Sequence, residues 1–220
     1  MNAEKASLLA PTLIIILLCV IVLNTVVFLG YYLLDKKNML SKRLFFYWAI
    51  QLVAFLSVPL FGEGHLQMAV PFSFSIFNLY FLYRAMFADY EKVMNYRPFL
   101  LFYFFIAWPL TIALNFTIGD FTLTTMPIAV ALAAPMIYMF LLVWFDKEKR
   151  FRSSPHILMS LGFLAGAIHS INFALFRNDP STVIWGTTTH ILIVILYGIG
   201  ISNFYNYMLH KSENIRLAAL

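Results

Sequence analysis

The chain has 220 residues, of which 62% are hydrophobic and only 11% are charged, and its mean hydropathy is +0.82. Soluble domains are about 45–50% apolar and about 25% charged, so this composition excludes a water-soluble globule. It also excludes a disordered chain. A single cysteine excludes an internal disulfide framework. The expected solvent for this chain is therefore lipid.

The apolar segments are long and continuous, as expected for helices that cross a hydrocarbon core of about 30 Å. Charges, glycines and prolines mark their ends. Closed membrane barrels need shorter, alternating strands, so the predicted fold is an all-α integral membrane bundle of seven helices. Its spans are predicted at about 8–34, 44–61, 67–87, 98–117, 122–145, 155–176 and 181–208, followed by a tail over 209–220.

The positions of the lysines and arginines predict the orientation of this bundle. Thirteen of the fifteen fall on one side of the predicted topology, and only Lys5 and Arg177 fall on the other. Cytoplasmic loops carry the excess of basic residues. The N-terminus is therefore predicted outside and the C-terminus in the cytoplasm. This topology accounts for the net charge of +5 without a nucleic-acid partner.

Polar side chains inside the spans are informative, because in hydrocarbon they must pair within the bundle or line a cavity. The predicted helices 6 and 7 carry most of them. His169, Asn172, Thr189, His190 and Tyr197 are predicted to converge as the wall of an outward-facing pocket, with Gly166 leaving room beside His169. The alternative is tight packing at Gly162 and Gly166 with interhelical hydrogen bonds.

The histidines allow a second interpretation of helices 6 and 7. His169 and His190 fall in the outer half of the predicted bundle, and His156 and His210 fall near its cytoplasmic surface. Facing histidines at two depths are the arrangement that holds two haems in membrane cytochromes. No haem motif surrounds these residues, so the sequence predicts no cofactor, and haem ligation remains an alternative.

The seventh predicted helix continues past the hydrocarbon without a proline. Ile201, Met208 and Ile215 recur every seven residues, with Phe204 and Ala218 three residues further on, which is a weak heptad pattern. A parallel helix pair, and hence a homodimer through the extension of helix 7, is the corresponding hypothesis. The alternative is a short surface helix.

The complete layout resembles a known architecture. A basic first cytoplasmic loop at Asp35-Lys36-Lys37-Asn38, a third helix with proline and serine, and a seventh helix that runs into Lys211-Ser212-Glu213-Asn214 are similar to the seven-helix input modules of bacterial sensor histidine kinases and diguanylate cyclases. The resemblance implies a location in a bacterial inner membrane, reception of a small or lipophilic signal within the bundle, dimerisation and output through helix 7. The sequence up to Leu220 contains no kinase or cyclase domain, so such activity is expected beyond that residue or in a partner.

The sequence therefore predicts a signal-input receptor with no catalytic residues of its own. Phosphate-loop, zinc-protease and nucleophile-elbow motifs are missing from the sequence. Without buried Asp, Glu or Lys, ion pumping is not expected. A small seven-helix transporter of an uncharged solute is the main alternative function, because such a substrate needs no buried carboxylate.

Overall fold

The structure is a computed structural model that describes residues 3–57, 65–87, 95–146, 151, 153–176 and 180–218. Side chains at 3–10, 65–72, 180–184 and 218 are not described. The described part of the chain forms seven helices and no strand. The helices are α1 (Ala3–Leu34), α2 (Met39–Ser57), α3 (His65–Met86), α4 (Arg97–Thr117), α5 (Phe121–Phe145), α6 (Ser154–Phe176) and α7 (Pro180–Ala218).

The helices pack in a closed ring. Each of α1, α2 and α3 contacts the next, α3 contacts α5, and α5, α6 and α7 follow in order. The ring closes because α7 returns to pack against α1, while α4 lies mainly against α5. Helix α7 consequently has neighbours on both sides, α6 on one and α1 on the other.

Six of the helices are long and apolar enough to cross a membrane, with windows in α1, α2, α4, α5, α6 and α7. The described residues therefore indicate a multi-pass helical membrane protein. The side chains of α3 are described only from Ser73 onward, which is shorter than a full crossing. The crossing predicted at 67–87 thus remains a prediction, as does the orientation in the bilayer.

Most predicted boundaries agree with the helices to within a few residues, but α2 begins earlier than the predicted 44–61. The Oδ1 of Asn38 accepts hydrogen bonds from the backbone N–H groups of Leu40 (3.0 Å) and Ser41 (3.2 Å), which caps a helix that starts at Met39. Residues 58–61 of that predicted span lie outside the described residues, as does the predicted turn at 177–179.

Helix α4 contains a local irregularity that hydropathy does not reveal. Residues Tyr103–Ala107 form a π-helical turn directly before Trp108 and Pro109. Proline lacks an N–H group and its ring crowds the preceding turn, so a widened turn accommodates it. The hydroxyl of Tyr103 and the Nε1–H of Trp108 both donate to the Oγ of Ser73 on α3, at 3.3 Å and 3.0 Å.

Polar side chains also join other helices. The Nδ2 of Asn78 on α3 donates to Oε1 of Gln51 on α2. The Nε1–H of Trp144 on α5 donates to Oγ of Ser160 on α6 at 2.9 Å. At the ends of α2 and α3, Nη1 of Arg43 donates to the carbonyl oxygen of Arg84 at 2.7 Å, which places a cation at a helix C-terminus. We call the end of the bundle that holds Arg43 and Arg84 the basic end.

Candidate functional site

His169 on α6 and His190 on α7 lie in direct contact. The Nδ1 of His190 is 3.1 Å from Nε2 of His169, and the ring centroids are 5.1 Å apart. A neutral imidazole donates through one nitrogen and accepts through the other, whereas an imidazolium only donates. The hydrogen bond therefore requires that at least one of the two rings be neutral. We call these two residues the histidine pair.

Tyr197 lies two turns further along α7 and occupies the space that the sequence predicts beside Gly166. A Cβ atom on Gly166 would lie 3.0 Å from the Tyr197 hydroxyl and 2.8 Å from Sδ of Met136, and one on Gly162 would lie 3.2 Å from the Tyr197 ring. The ring of Tyr197 thus packs against the two glycines and fills the open space that the sequence predicts beside Gly166. The Tyr197 hydroxyl is buried and has no hydrogen-bond partner within the described part of the chain.

The other two predicted wall residues point elsewhere. Asn172 on α6 and Thr189 on α7 both have exposed side chains. They are offset around their helices from His169 and His190, because each residue turns an α-helix by about 100°. The structure therefore brings the histidine pair together and places Tyr197 at the same α6–α7 interface. Asn172 and Thr189 lie on the surface of the chain.

The histidines as arranged do not fit a haem held between them. Imidazole nitrogens bind a metal at about 2.0–2.1 Å, so two axial ligands lie about 4 Å apart, farther than the 3.1 Å between His169 and His190. The other predicted ligands are not alike in position. His156 is buried, with Nδ1 2.6 Å from Oγ of Ser153, whereas the His210 side chain is 79% exposed and lies 3.7 Å from Glu213.

The other flank of α7 carries a cavity that the sequence did not predict. It is a largely open surface depression with a volume of about 350 Å³, and it lies between α1 and α7. Three of its lining side chains are polar, namely Asn24, Ser202 and Asn203, and Ile195 and Ile199 contribute apolar surface. We call this cavity the α1–α7 groove.

The sequence signal for the packing of α1 against α7 is the seven-residue spacing of the residues that make their contacts. A Cβ atom on Gly198 would lie 3.1 Å from the amide of Asn24, and the rings of Tyr31 and Tyr205 stack at a centroid distance of 4.7 Å. The two contacts are seven residues apart on α1 and seven residues apart on α7. This spacing is the repeat of two parallel helices that pack side by side. Asn24 is a polar residue within a long apolar segment, but a single sequence does not identify the helix against which it packs.

Aromatic rings form a chain of contacts at the basic end of the bundle. Centroid distances of 5.0–5.7 Å connect consecutive rings from the residue before α4, through the ends of α3 and α6, to α7. This aromatic layer consists of Tyr96, Tyr83, Phe87, Phe151, His156 and Phe204, all buried. Burial raises the pKa of Tyr96 well above its ordinary value, and its hydroxyl is 3.2 Å from the carbonyl oxygen of Ile76, to which it donates.

Together the described residues indicate a multi-pass helical membrane protein in which α7 packs against α6 on one side and α1 on the other. Comparison with known protein families, with curated proteins and with solved structures finds no match for the chain.

Proposed function

We propose that the chain is a membrane receptor, a signal-input module that detects a small or lipophilic ligand within the helix bundle and transmits the signal through α7. In this proposal the N-terminus lies outside a bacterial inner membrane and the basic end faces the cytoplasm. The histidine pair and Tyr197 form the sensing part of the α6–α7 interface, with Asn172 and Thr189 at its margin. A cytoplasmic signalling domain or partner receives the output.

The continuity of α7 is the observation that carries this proposal. The helix runs from Pro180 to Ala218 without a break. Its 39 residues span about 58 Å, nearly twice the thickness of the hydrocarbon core. His190, near the start, is bonded to α6, and residues 209–217, at the other end, are exposed. A displacement of α7 at the histidine pair is therefore expected to reach the exposed segment.

The aromatic layer favours reception over transport. A transporter of an uncharged solute needs a path that reaches both faces of the membrane. In this structure Phe87, Phe151 and Phe204 at the basic end are each no more than 1% exposed. Uptake of solutes into proteoliposomes is therefore not expected, and we assign no enzymatic activity to the chain itself.

The exposed end of α7 is the proposed route to a second copy of the chain and to an output partner. Ile201 and Phe204 are each 1% exposed, and Met208 packs against the same core, so this part of the predicted heptad faces its own bundle. Ile215 and Leu217 are 63% and 68% exposed. A homodimer through α7 would accordingly use the segment from Leu209 onward.

A chimera tests the proposal. A cytoplasmic histidine kinase domain is joined in helical phase after Ala218, and its autophosphorylation is measured in membranes. If α7 transmits a signal, His190→Leu changes the kinase activity by about threefold or more, since a shift of about 0.7 kcal/mol between two states gives that ratio. Leu192→Ala, at a lipid-exposed position two residues away, is the control and should leave the activity unchanged. Equal kinase activity in the unsubstituted chimera, His190→Leu and Leu192→Ala would contradict the proposal.

A further inference from the structure

We propose that the α1–α7 groove binds a single-chain lipid with an uncharged, hydrogen-bonding head group, of the monoacylglycerol type. The head group would lie at Ser202 and Asn203, and the acyl chain would extend along Ile199 and Ile195. This inference goes beyond the proposed function, because it places a lipid on the flank of α7 opposite the histidine pair. Its test measures binding alone, so that the two proposals can fail separately.

The groove lies along the seam where α1 packs against α7, and Asn24 and Gly198 belong to its lining. The contact of Gly198 with Asn24 and the stacking of Tyr31 on Tyr205 fix the two helices side by side. The cavity of about 350 Å³ lies along this seam and extends from Ile195 to Asn203, about 12 Å along the helix axis. Its volume falls at the lower end of the range for small-molecule sites, about 300–1,000 Å³.

The polar lining predicts the chemistry of the head group. The amide of Asn203 is exposed, and within the described residues the structure gives no hydrogen bond to the side chain of Asn203 or Ser202. The Nδ2 of Asn24 donates to the carbonyl oxygen of Val20 at 2.8 Å. The hydroxyl of Ser202 and the amide of Asn203 can each donate and accept a hydrogen bond, which matches the hydroxyls and ester oxygens of an uncharged head group. None of the lining residues is charged, which favours an uncharged head group over a phosphate.

The distribution of polarity along the groove predicts the orientation of the ligand. Asn203 lies two residues before Tyr205 and one before Phe204 of the aromatic layer, near the basic end, whereas Ile195 lies about 12 Å deeper in the bundle. An amphiphile in the adjacent leaflet has the same order, with its head group at the interface and its chain inward. A transmembrane helix of a second copy is a poorer fit, because it is about 10–12 Å wide and would need a seam across the whole membrane.

Photolabelling of the full chain in phosphatidylcholine nanodiscs tests this proposal. The probe is a monoacylglycerol with a diazirine in its acyl chain, and adducts are located by mass spectrometry. We expect saturable labelling of α1 and α7 at the groove, which unlabelled monoacylglycerol displaces. The double variant Ser202→Ala/Asn203→Leu should reduce labelling about tenfold, as expected for the loss of one to two hydrogen bonds. Asn206→Leu, an exposed asparagine outside the groove, is the matched control and should change it less than twofold.

A second variant and a second probe make the result decisive. Ile195→Trp fills the apolar part of the groove without removing a polar group, and it should also abolish the saturable labelling. A probe with the same chain and a phosphocholine head should label the groove at least about tenfold less. Labelling spread evenly over lipid-facing helices, equal labelling by both probes, or a groove protected by a second copy of the chain would each overturn the proposal. Specific labelling of the groove, together with no effect of His190→Leu on the activity of the kinase chimera, would contradict the receptor function alone.

Discussion

The two flanks of α7 differ in how tightly they are packed. Against α6, the ring of Tyr197 fills the space over Gly162 and Gly166, and His190 is bonded to His169. Against α1, the contacts at Gly198 and Tyr205 leave a cavity of about 350 Å³. The tight flank fixes the position of α7, and the loose flank has the space for a ligand.

The largest expected effect is at the tight flank. Gly166→Ala places a methyl group 2.8 Å from Sδ of Met136 and 3.0 Å from the Tyr197 hydroxyl. Overpacking of this kind destabilises by about 2 kcal/mol. We expect a lower free energy of unfolding in detergent, measured by titration with a denaturing detergent. The control is Gly30→Ala on α1, where no atom lies within 4 Å of the new methyl group and unfolding should be unchanged or slightly less favourable. Equal destabilisation by both variants would contradict the tight packing.

A smaller effect is expected at the histidine pair. His190→Leu removes one partner of the 3.1 Å hydrogen bond and leaves His169 unpaired at the interface. Interhelical hydrogen bonds in membranes contribute about 1 kcal/mol. A double-mutant cycle with His169→Leu, measured by the same unfolding titration, should give a coupling energy of about that size. Purely additive changes would show that the two rings do not interact.

The smallest effect is expected at the loose flank. Gly198→Ala brings a methyl group within 3.1 Å of the Asn24 amide, but this side chain borders the groove and has space to move. We expect the free energy of unfolding to change by less than about 0.5 kcal/mol. A loss as large as that of Gly166→Ala would mean that both flanks are equally tight.

The histidine contact also predicts the spectrum of the protein. Nδ1 of His190 and Nε2 of His169 are hydrogen-bonded to each other and are therefore not free to bind iron. Protein purified from cells supplied with haem precursor should accordingly show no Soret band. A Soret band that disappears in His169→Leu would show that the pair separates to bind haem.

Much of the fold follows from the sequence, because long apolar segments in lipid must be helical. The bounds of α4, α5 and α6 lie within one residue of the predicted spans, whereas α1 begins five residues earlier than predicted and α7 continues through most of the predicted tail to Ala218. The early start of α2 depends on the cap at Asn38 and lies beside Lys42 and Arg43, which lower the hydropathy there. The π-turn of α4 lies directly before Pro109, whose missing N–H group and ring disturb a regular helix, and hydropathy does not measure this effect.

The candidate site was less predictable, because it depends on how each helix is rotated. A difference of one residue turns a side chain by about 100°, which separates the bonded His190 from the exposed Thr189. The space left by a glycine depends on what the neighbouring helix places against it, a Tyr197 ring at Gly162 and an Asn24 amide at Gly198. Neither neighbour can be read from the local sequence, and the groove depends on the return of α7 to α1.

The central claim is that α7 carries a change from the histidine pair to its exposed end. Spin labels at Met39→Cys on α2 and Asn214→Cys on α7, both exposed positions, report the distance between the bundle and that end in a Cys19→Ser background. In nanodiscs, His190→Leu should shift the mean distance, measured by pulsed electron paramagnetic resonance, by about 2 Å, the size of interfacial helix shifts in signalling. Leu192→Ala should not shift it. Identical distance distributions in the His190→Leu and Leu192→Ala proteins would contradict the claim.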